Sequence, residues 1–492
     1  MDQEESTATK PGFQPEEPKA PEISSVSPTE VPPTPLPETQ AKTFIAKQQS
    51  SFIMEEEGGG LSKLKGFLPV VLILLFLLIG AFAVFKFLLP KMAKPKEVSL
   101  TYWGLWEPEQ VYSSVISDYQ KTHPNVKIDY VFQSPKDYRE RLASAIASDK
   151  GPDIFRFHSS WVPMFKNDLA SVPAKTMDAA SFEATFYPVA RQDLRVGNSY
   201  VGIPLEIDTL ALFINEEIFE TAGKTPPTTW DELRKTAIEL TTKDSEGKIQ
   251  ISGAALGRTE NVDHWSDILA LMMLQNGADL TNPTGTLAED ALAFFTIFSK
   301  IDRVWDETLP SSTAAFAGGK VAMYFGSSWE VFEIKKANPT LKFRVLPVPQ
   351  LEGTNITWAS YWVEGVAKKS KFQDESFEFL KYLSERETLQ KLFQAESQLR
   401  LFGEPYSRAD MANLLSDDDF AGAFIKQAPV ARSWYLCSRT FDNGINDKMI
   451  KYFEDAVNSV NEGKTAKEAL ETTASGVSQI LAQYGISASV VR

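Results

Sequence analysis

The run from Phe67 to Leu89, FLPVVLILLFLLIGAFAVFKFLL, constrains this chain most: it is apolar throughout except for Lys86. At 1.5 Å per residue its uncharged part, Phe67 to Phe85, spans a hydrocarbon core of about 30 Å, so the pattern predicts one transmembrane helix dividing two unlike polypeptides. A buried core helix and a cleavable signal peptide are the alternatives. Ala81-Phe82-Ala83 offers a small-residue cleavage pattern, but the run is long for a signal-peptide core and roughly 60 residues precede it. The expectation is an uncleaved signal anchor.

The segment Met1 to Gly60 is rich in Pro, Glu, Ser and Thr, densest in Pro at Val31 to Pro37. Such a composition buries too little apolar surface to offset chain entropy, so residues 1–60 are expected to be a disordered tail with local polyproline II. It reads as a solvated spacer or as a docking tail for a partner that accepts extended Pro-rich segments. Gly58-Gly59-Gly60 lacks the Gly-Lys-Ser/Thr of a phosphate loop and reads as a flexible joint.

About 400 residues remain, enough for two lobes of ordinary size. The net charge of −15 argues against nucleic-acid binding, which needs a basic footprint. Cys437 is the only cysteine, so there is no intrachain disulfide, no multi-thiolate metal site and no lipid-bearing cysteine beside the apolar run. From Val98 onward short strands alternate with helices: strand Val98 to Trp103, helix Glu107 to His123, strand Val126 to Phe132, helix Pro135 to Ser148, strand Asp153 to Phe157. This succession predicts an α/β fold with a parallel sheet, whose ligand crevice lies beyond the carboxyl ends of the strands. Thr229-Trp230-Asp231-Glu232 and Thr465-Ala466-Lys467-Glu468 are capping boxes that start helices.

The motifs YQKTHPNVKIDY, YRERLASAIASDKGPDIF, YVGIPLEIDTLALFINEEIFETAGKTPPTTWDELRKTAIELTTKD and FAGGKVAMYFGSSWE, in that order, resemble the extracellular solute-binding proteins of ABC sugar importers. The resemblance is to the large family that includes the maltose- and glycerol-phosphate-binding proteins, and it covers nearly all of Val98 to Ser489. It implies a two-lobed periplasmic-binding-protein-like fold of type II, hinged, with ligand held between the lobes and delivered to a membrane permease. It also implies discontinuous lobes, the first at 98–208 plus 357–406 and the second at 209–356 plus 407–492. The run Tyr200 to Asn215, with Pro204 inside it, suits a segment crossing between lobes better than a sheet centre.

Sugars present apolar C–H faces and hydroxyl edges, so a site for them needs flat aromatic surfaces together with polar partners. Trp103, Trp106 and Glu107 follow the first strand; His158, Ser159 and Trp161 follow the third. Glu206 and Asp208, two apart in an extended chain, share one face at the crossing. Either they accept bonds from ligand hydroxyls or one of them is structural. The resemblance implies ligand stacking at Trp329, after strand Val321 to Phe325, and contact at Trp265, in the loop after strand Ile251 to Ala255. It also places Trp434 with Tyr435 in a further aromatic cluster, and Tyr361 and Trp362 at the return crossing. Core packing is the competing account for each of these rings.

A glycoside hydrolase is the rival reading, since an i, i+2 carboxyl pair falls within the separations such chemistry uses. Any two same-face acids in a strand would qualify. His123, His158 and His264 lack an H-E-x-x-H arrangement and no G-x-S-x-G elbow occurs, so neither a metal nor another cofactor is expected. Asp417-Asp418-Asp419 reads as a solvated helix start. A third reading is the ectodomain of a sensor whose tail signals inside the cell. The expectation is a monomeric, membrane-anchored receptor, its ligand-binding part outside and its tail cytoplasmic, that passes a carbohydrate to an ABC permease. The lysine count is at odds with that orientation: Lys63 and Lys65 flank one side of the apolar run, and Lys86, Lys91, Lys94 and Lys96 the other.

Overall fold

The computed structural model describes residues 68–83, 86 and 96–486. The chain divides into two units, Met1–Ala93 and Lys94–Arg492. In the first, the described helix is Leu68–Ala83, 16 residues, which rises about 24 Å. The expected span of Phe67 to Leu89 is thus described only in part, and the tail 1–60 lies outside the described residues. Among the described residues no helix is long and apolar enough to cross a membrane. Leu72 to Ile79 and Phe82 are nonetheless all exposed, Phe76 to 78%.

The second unit is built on two sheets. The first has the order Trp362–Val366, Ile154–His158, Val98–Gly104, Val126–Phe132. Its last three strands are parallel, and Trp362–Val366 is antiparallel to Ile154–His158. The expected β-α-β-α-β order holds here, with helices at Glu109–Thr122 and Tyr138–Ala147. Val111, Val115 and Tyr119 face the core of the first sheet, as their spacing requires. Gly104 ends the first strand against Tyr130, whose ring a Cβ there would strike. Tyr130 in turn donates to the Glu107 carbonyl at 2.7 Å, fixing the loop that follows.

The second sheet runs Phe343–Leu346, Ala211–Asn215, Val321–Gly326, Ile249–Ala254, Thr242–Lys243. Ala211–Asn215 and Val321–Gly326 are buried at every residue, because helices cover both faces. Both expected capping boxes form, at Thr229 and at Thr465. Trp230 is core: its ring stacks on Phe325 at 5.5 Å and its N–H donates to Gln275.

Two apolar cores accompany the two sheets, and the chain changes core at a narrow junction. Ile207 packs in the first core and Leu210 in the second; on the return Trp358 packs in the second and Ala359 in the first. Met411 and Leu415 also enter the first core, beyond the expected switch at Tyr406. At the junction Leu210 N–H donates to the Trp358 carbonyl at 2.9 Å and Ser360 N–H to the Asp208 carbonyl at 3.1 Å. Thr357–Trp358 pairs in parallel with Ala431–Arg432, so three crossing segments lie side by side.

Candidate functional site

At this junction the side chains of the crossing segment alternate. Trp358, Ser360 and Trp362 line a cavity of about 640 Å³, while the Tyr361 hydroxyl points away and donates to Asp193 Oδ2 at 2.9 Å. The period of two in an extended chain explains the division. The same alternation brings Glu206 and Asp208 into the cavity and sends Leu205 and Ile207 into the first core.

The first sheet supplies one wall. Trp106 lies 5.8 Å from Trp362 and 6.1 Å from Trp329, which reaches in on helix Ser328–Ala337, after strand Val321–Gly326 of the second sheet. Trp161 is fully buried behind Trp362, at 5.3 Å, and supports it. The Trp106 backbone is left-handed, with φ 70°, and its indole N–H is buried without a partner. The Arg400 guanidinium stacks over Trp329 at 4.7 Å.

Behind this wall lies a buried charge cluster. Arg156 bonds Glu107 at 2.5 Å and Glu364 at 2.7 Å; Arg400 pairs with Glu107, Glu396 and Glu404. Acids outnumber bases, and burial pushes Glu364, Glu396 and Glu404 upward. Glu206 accepts from Trp362 N–H at 3.0 Å, and burial, only partly offset by Arg156, raises it to about 7. Burial also raises Asp208, with Glu404 adding to it and Ser328 opposing. Asp208 accepts from Ser328 Oγ at 2.8 Å and Thr209 N–H at 2.8 Å. His158 bonds Ser160 at 2.7 Å and Ser360 at 3.1 Å, and burial lowers it to about 3, so it is neutral.

The opposite wall comes from residues around the second sheet. His264 stands 3.1 Å from Glu330 and 3.4 Å from Asp267. Burial opposes its charge, but the two carboxylates prevail and raise it to about 10. Glu330 also takes Arg439 at 2.5 Å, so that, against its burial, it is held at about 2. Asp267 accepts from the Trp358 indole at 2.7 Å and Ser438 N–H at 3.2 Å, tying this wall to the crossing segment. Arg439 and Phe441 enter the cavity from a stretch in which Arg439, Phe441 and Asn443 all have left-handed φ, 57°, 51° and 43°.

Of the residues expected from sequence, the cavity thus collects Trp106, His158, Glu206, Asp208, Trp329 and Trp362. Glu107 is sealed beneath it in the Arg156 cluster, Trp161 and Tyr361 pack in the first core, and Trp103 is half-buried against that core. Trp265 does not sit in a loop: it opens helix Trp265–Gln275 and packs in the second core. Ser159 and Trp434 line a separate cavity of about 380 Å³. Sequence reading missed His264, Asp267, Glu330 and Arg439. Glu330 had a signal, since Ser327-Ser328-Trp329-Glu330 is itself a capping-box pattern, and Glu330 accepts from Ser327 N–H at 2.7 Å. Arg439 had none, because its stretch has no periodicity.

The model of the bacterial extracellular solute-binding protein family matches residues 106–389, more than half of the chain. A maltotriose-binding protein of Pyrococcus abyssi is 23% identical over 256 residues, which are 51% of this chain and 53% of that protein; the chain thus spans about half the length of that relative. The diacetylchitobiose binding protein DasA of Streptomyces coelicolor is 21% identical over 58% of this chain and 68% of its own. Among solved structures, a cyclo/maltodextrin-binding protein complexed with maltotetraose superimposes with TM-score 0.65 at 18% identity, covering 79% of this chain and 98% of that one. The sugar-binding protein MalE of Xanthomonas citri gives 0.64 at 18% identity, over 78% and 98%. At these identities the likeness is one of fold.

Proposed function

The chain belongs to the bacterial extracellular solute-binding protein family, and from that premise we propose that it captures a carbohydrate in the cavity between its two sheets and hands it to an ABC import permease. The observation that carries this reading is the pairing of surfaces there: Trp106, Trp329 and Trp362 offer flat apolar faces, and Glu206, Ser360 and Asp267 offer bonding partners. A sugar ring needs both kinds at once. The ligands named for the relatives, maltotriose, diacetylchitobiose and maltotetraose, are oligosaccharides of a size that about 640 Å³ accommodates.

In this reading the lobes are 98–208 plus 357–406 and 209–356 plus 407–492, except that the stretch carrying Met411 and Leu415 joins the first, and they close about Asp208 and Thr357 through contacts made only when both walls touch ligand. The apolar run from Phe67 to Leu89 serves as the membrane anchor, with the exposed faces of Leu72 to Ile79 against lipid. The binding unit lies outside the cell and the tail inside. Calorimetry of the full chain in detergent micelles against maltodextrins, chitooligosaccharides and sugar alcohols should give saturable one-site binding. Cleavage of a chromogenic glycoside with no binding of any saccharide would overturn the proposal. Protease added to intact cells should digest the C-terminal unit and spare the tail.

A further inference from the structure

Six carboxyl groups line the large cavity, and four of them have a base at hand. His264 serves Asp267 and Glu330, at 3.4 and 3.1 Å; Arg439 serves Glu330, Glu333 and Asp263, at 2.5, 3.6 and 3.9 Å. The exceptions are Glu206 and Asp208: among the described residues neither has an ion-pair partner, although they are only 3% and 6% exposed. The bases behind them are already committed. Arg156 is held by Glu107 and Glu364, and Arg400 by Glu107, Glu396 and Glu404, so no positive charge is left over for the cavity floor. Buried acids without counter-ions are costly, and a site that keeps two of them beside a ligand cavity lacks a cation.

The surroundings specify what kind of cation completes it. Trp106 and Trp362 stand 5.8 Å apart beside Glu206, which accepts from the Trp362 backbone N–H. Indole faces attract an ammonium group, and a carboxylate bonds it more strongly than it bonds a hydroxyl. A bare metal ion would leave the tryptophan wall unused, and among the described residues no cluster of metal-ligating side chains occurs. An organic ammonium on a ring with apolar faces uses both. We propose, resting on the carbohydrate reading above, that the solute is an amino sugar with a free ammonium group, held between the tryptophan wall and the Glu206–Asp208 pair.

The test is calorimetry of the full chain in detergent micelles, at one salt concentration and neutral pH, with three disaccharides of the same β-1,4 skeleton: the free glucosamine dimer, its di-N-acetyl form and cellobiose. Maltotriose is run beside them. The glucosamine dimer should bind at least ten-fold more tightly than the other three. In Glu206→Gln, which keeps the acceptor for Trp362 N–H, the ratio of glucosamine dimer to cellobiose affinity should fall towards one; Asp208→Asn provides a second reading of the same ratio. Any neutral saccharide that binds more tightly than the glucosamine dimer overturns the inference and leaves the carbohydrate reading standing. An unchanged ratio in both folded variants overturns the assignment to this carboxyl pair. Failure of every saccharide to bind defeats the carbohydrate reading itself, and the inference with it.

Discussion

Glu206 and Glu330 face the same cavity and are buried to the same degree, yet the first is raised to about 7 and the second held at about 2. Burial opposes charge on both. The difference lies in the bases supplied: Glu330 has His264 and Arg439 in contact, whereas Glu206 shares a distant Arg156 with other glutamates. Side-chain type therefore says little about the charge a wall presents. On the second wall His264 and Arg439 are shared among four carboxylates, each with a base within 4 Å, whereas Glu206 and Asp208 on the first wall have no base in contact, so a ligand meets one face whose acids are paired and one whose acids are not.

The largest expected effect would break the first wall. Arg156→Met leaves Glu364 buried without its counter-ion and Glu107 with Arg400 alone, and we expect a loss of about 3–5 kcal/mol in urea unfolding. On the second wall Glu330→Gln should cost about 3 kcal/mol for the same reason. It should also move the His264 titration, followed by NMR, down from about 10. Trp329→Ala removes the ring that joins the walls, and ligand affinity measured by calorimetry should fall by about 1–3 kcal/mol in a folded variant.

A subtler contrast is in pH. Glu206 has a folded value of about 7 against 4.5 unfolded, so the native state binds the extra proton, and this contribution to stability is lost as pH rises from 4.5 through 7. Glu330, at about 2, contributes stability above 4.5 that is lost as pH falls towards 2; His264, at about 10, contributes stability below 6.5 that is lost as pH rises towards 10. Unfolding followed from pH 4.5 to 7 should therefore show a smaller loss with rising pH in Glu206→Gln than in the unchanged chain. The smallest effect calibrates the rest: Thr465→Ala removes a cap remote from both walls and should cost about 1 kcal/mol in unfolding.

Much of the scaffold was legible in the chain. Val98 to Phe157 alternates strand and helix with clean periodicity, and both capping boxes announce helix starts that form where expected. Trp106, after the first strand, and Trp329, singled out by the family resemblance, reach the cavity, but Glu107, Ser159 and Trp161 also follow strand ends and do not. The site was not legible where one residue of register decides the outcome. Tyr361 and Trp362 are adjacent aromatics on an extended segment, so one enters the core and the other the cavity, and composition cannot tell which. His264 and Arg439 are separated from each other by a long stretch of chain and come to share Glu330, a relation that tertiary packing creates.

The left-handed backbone at Trp106, Arg439 and Phe441 has a consequence for how this protein would respond to selection. All three residues line the cavity, and a non-glycine residue in that conformation costs on the order of 1–2 kcal/mol. Replacement by glycine would relieve the backbone while deleting the ring or guanidinium that the conformation aims inward. A library screened only for heat resistance should thus gather glycine or asparagine at these three positions, and its hardiest members should be its poorest binders.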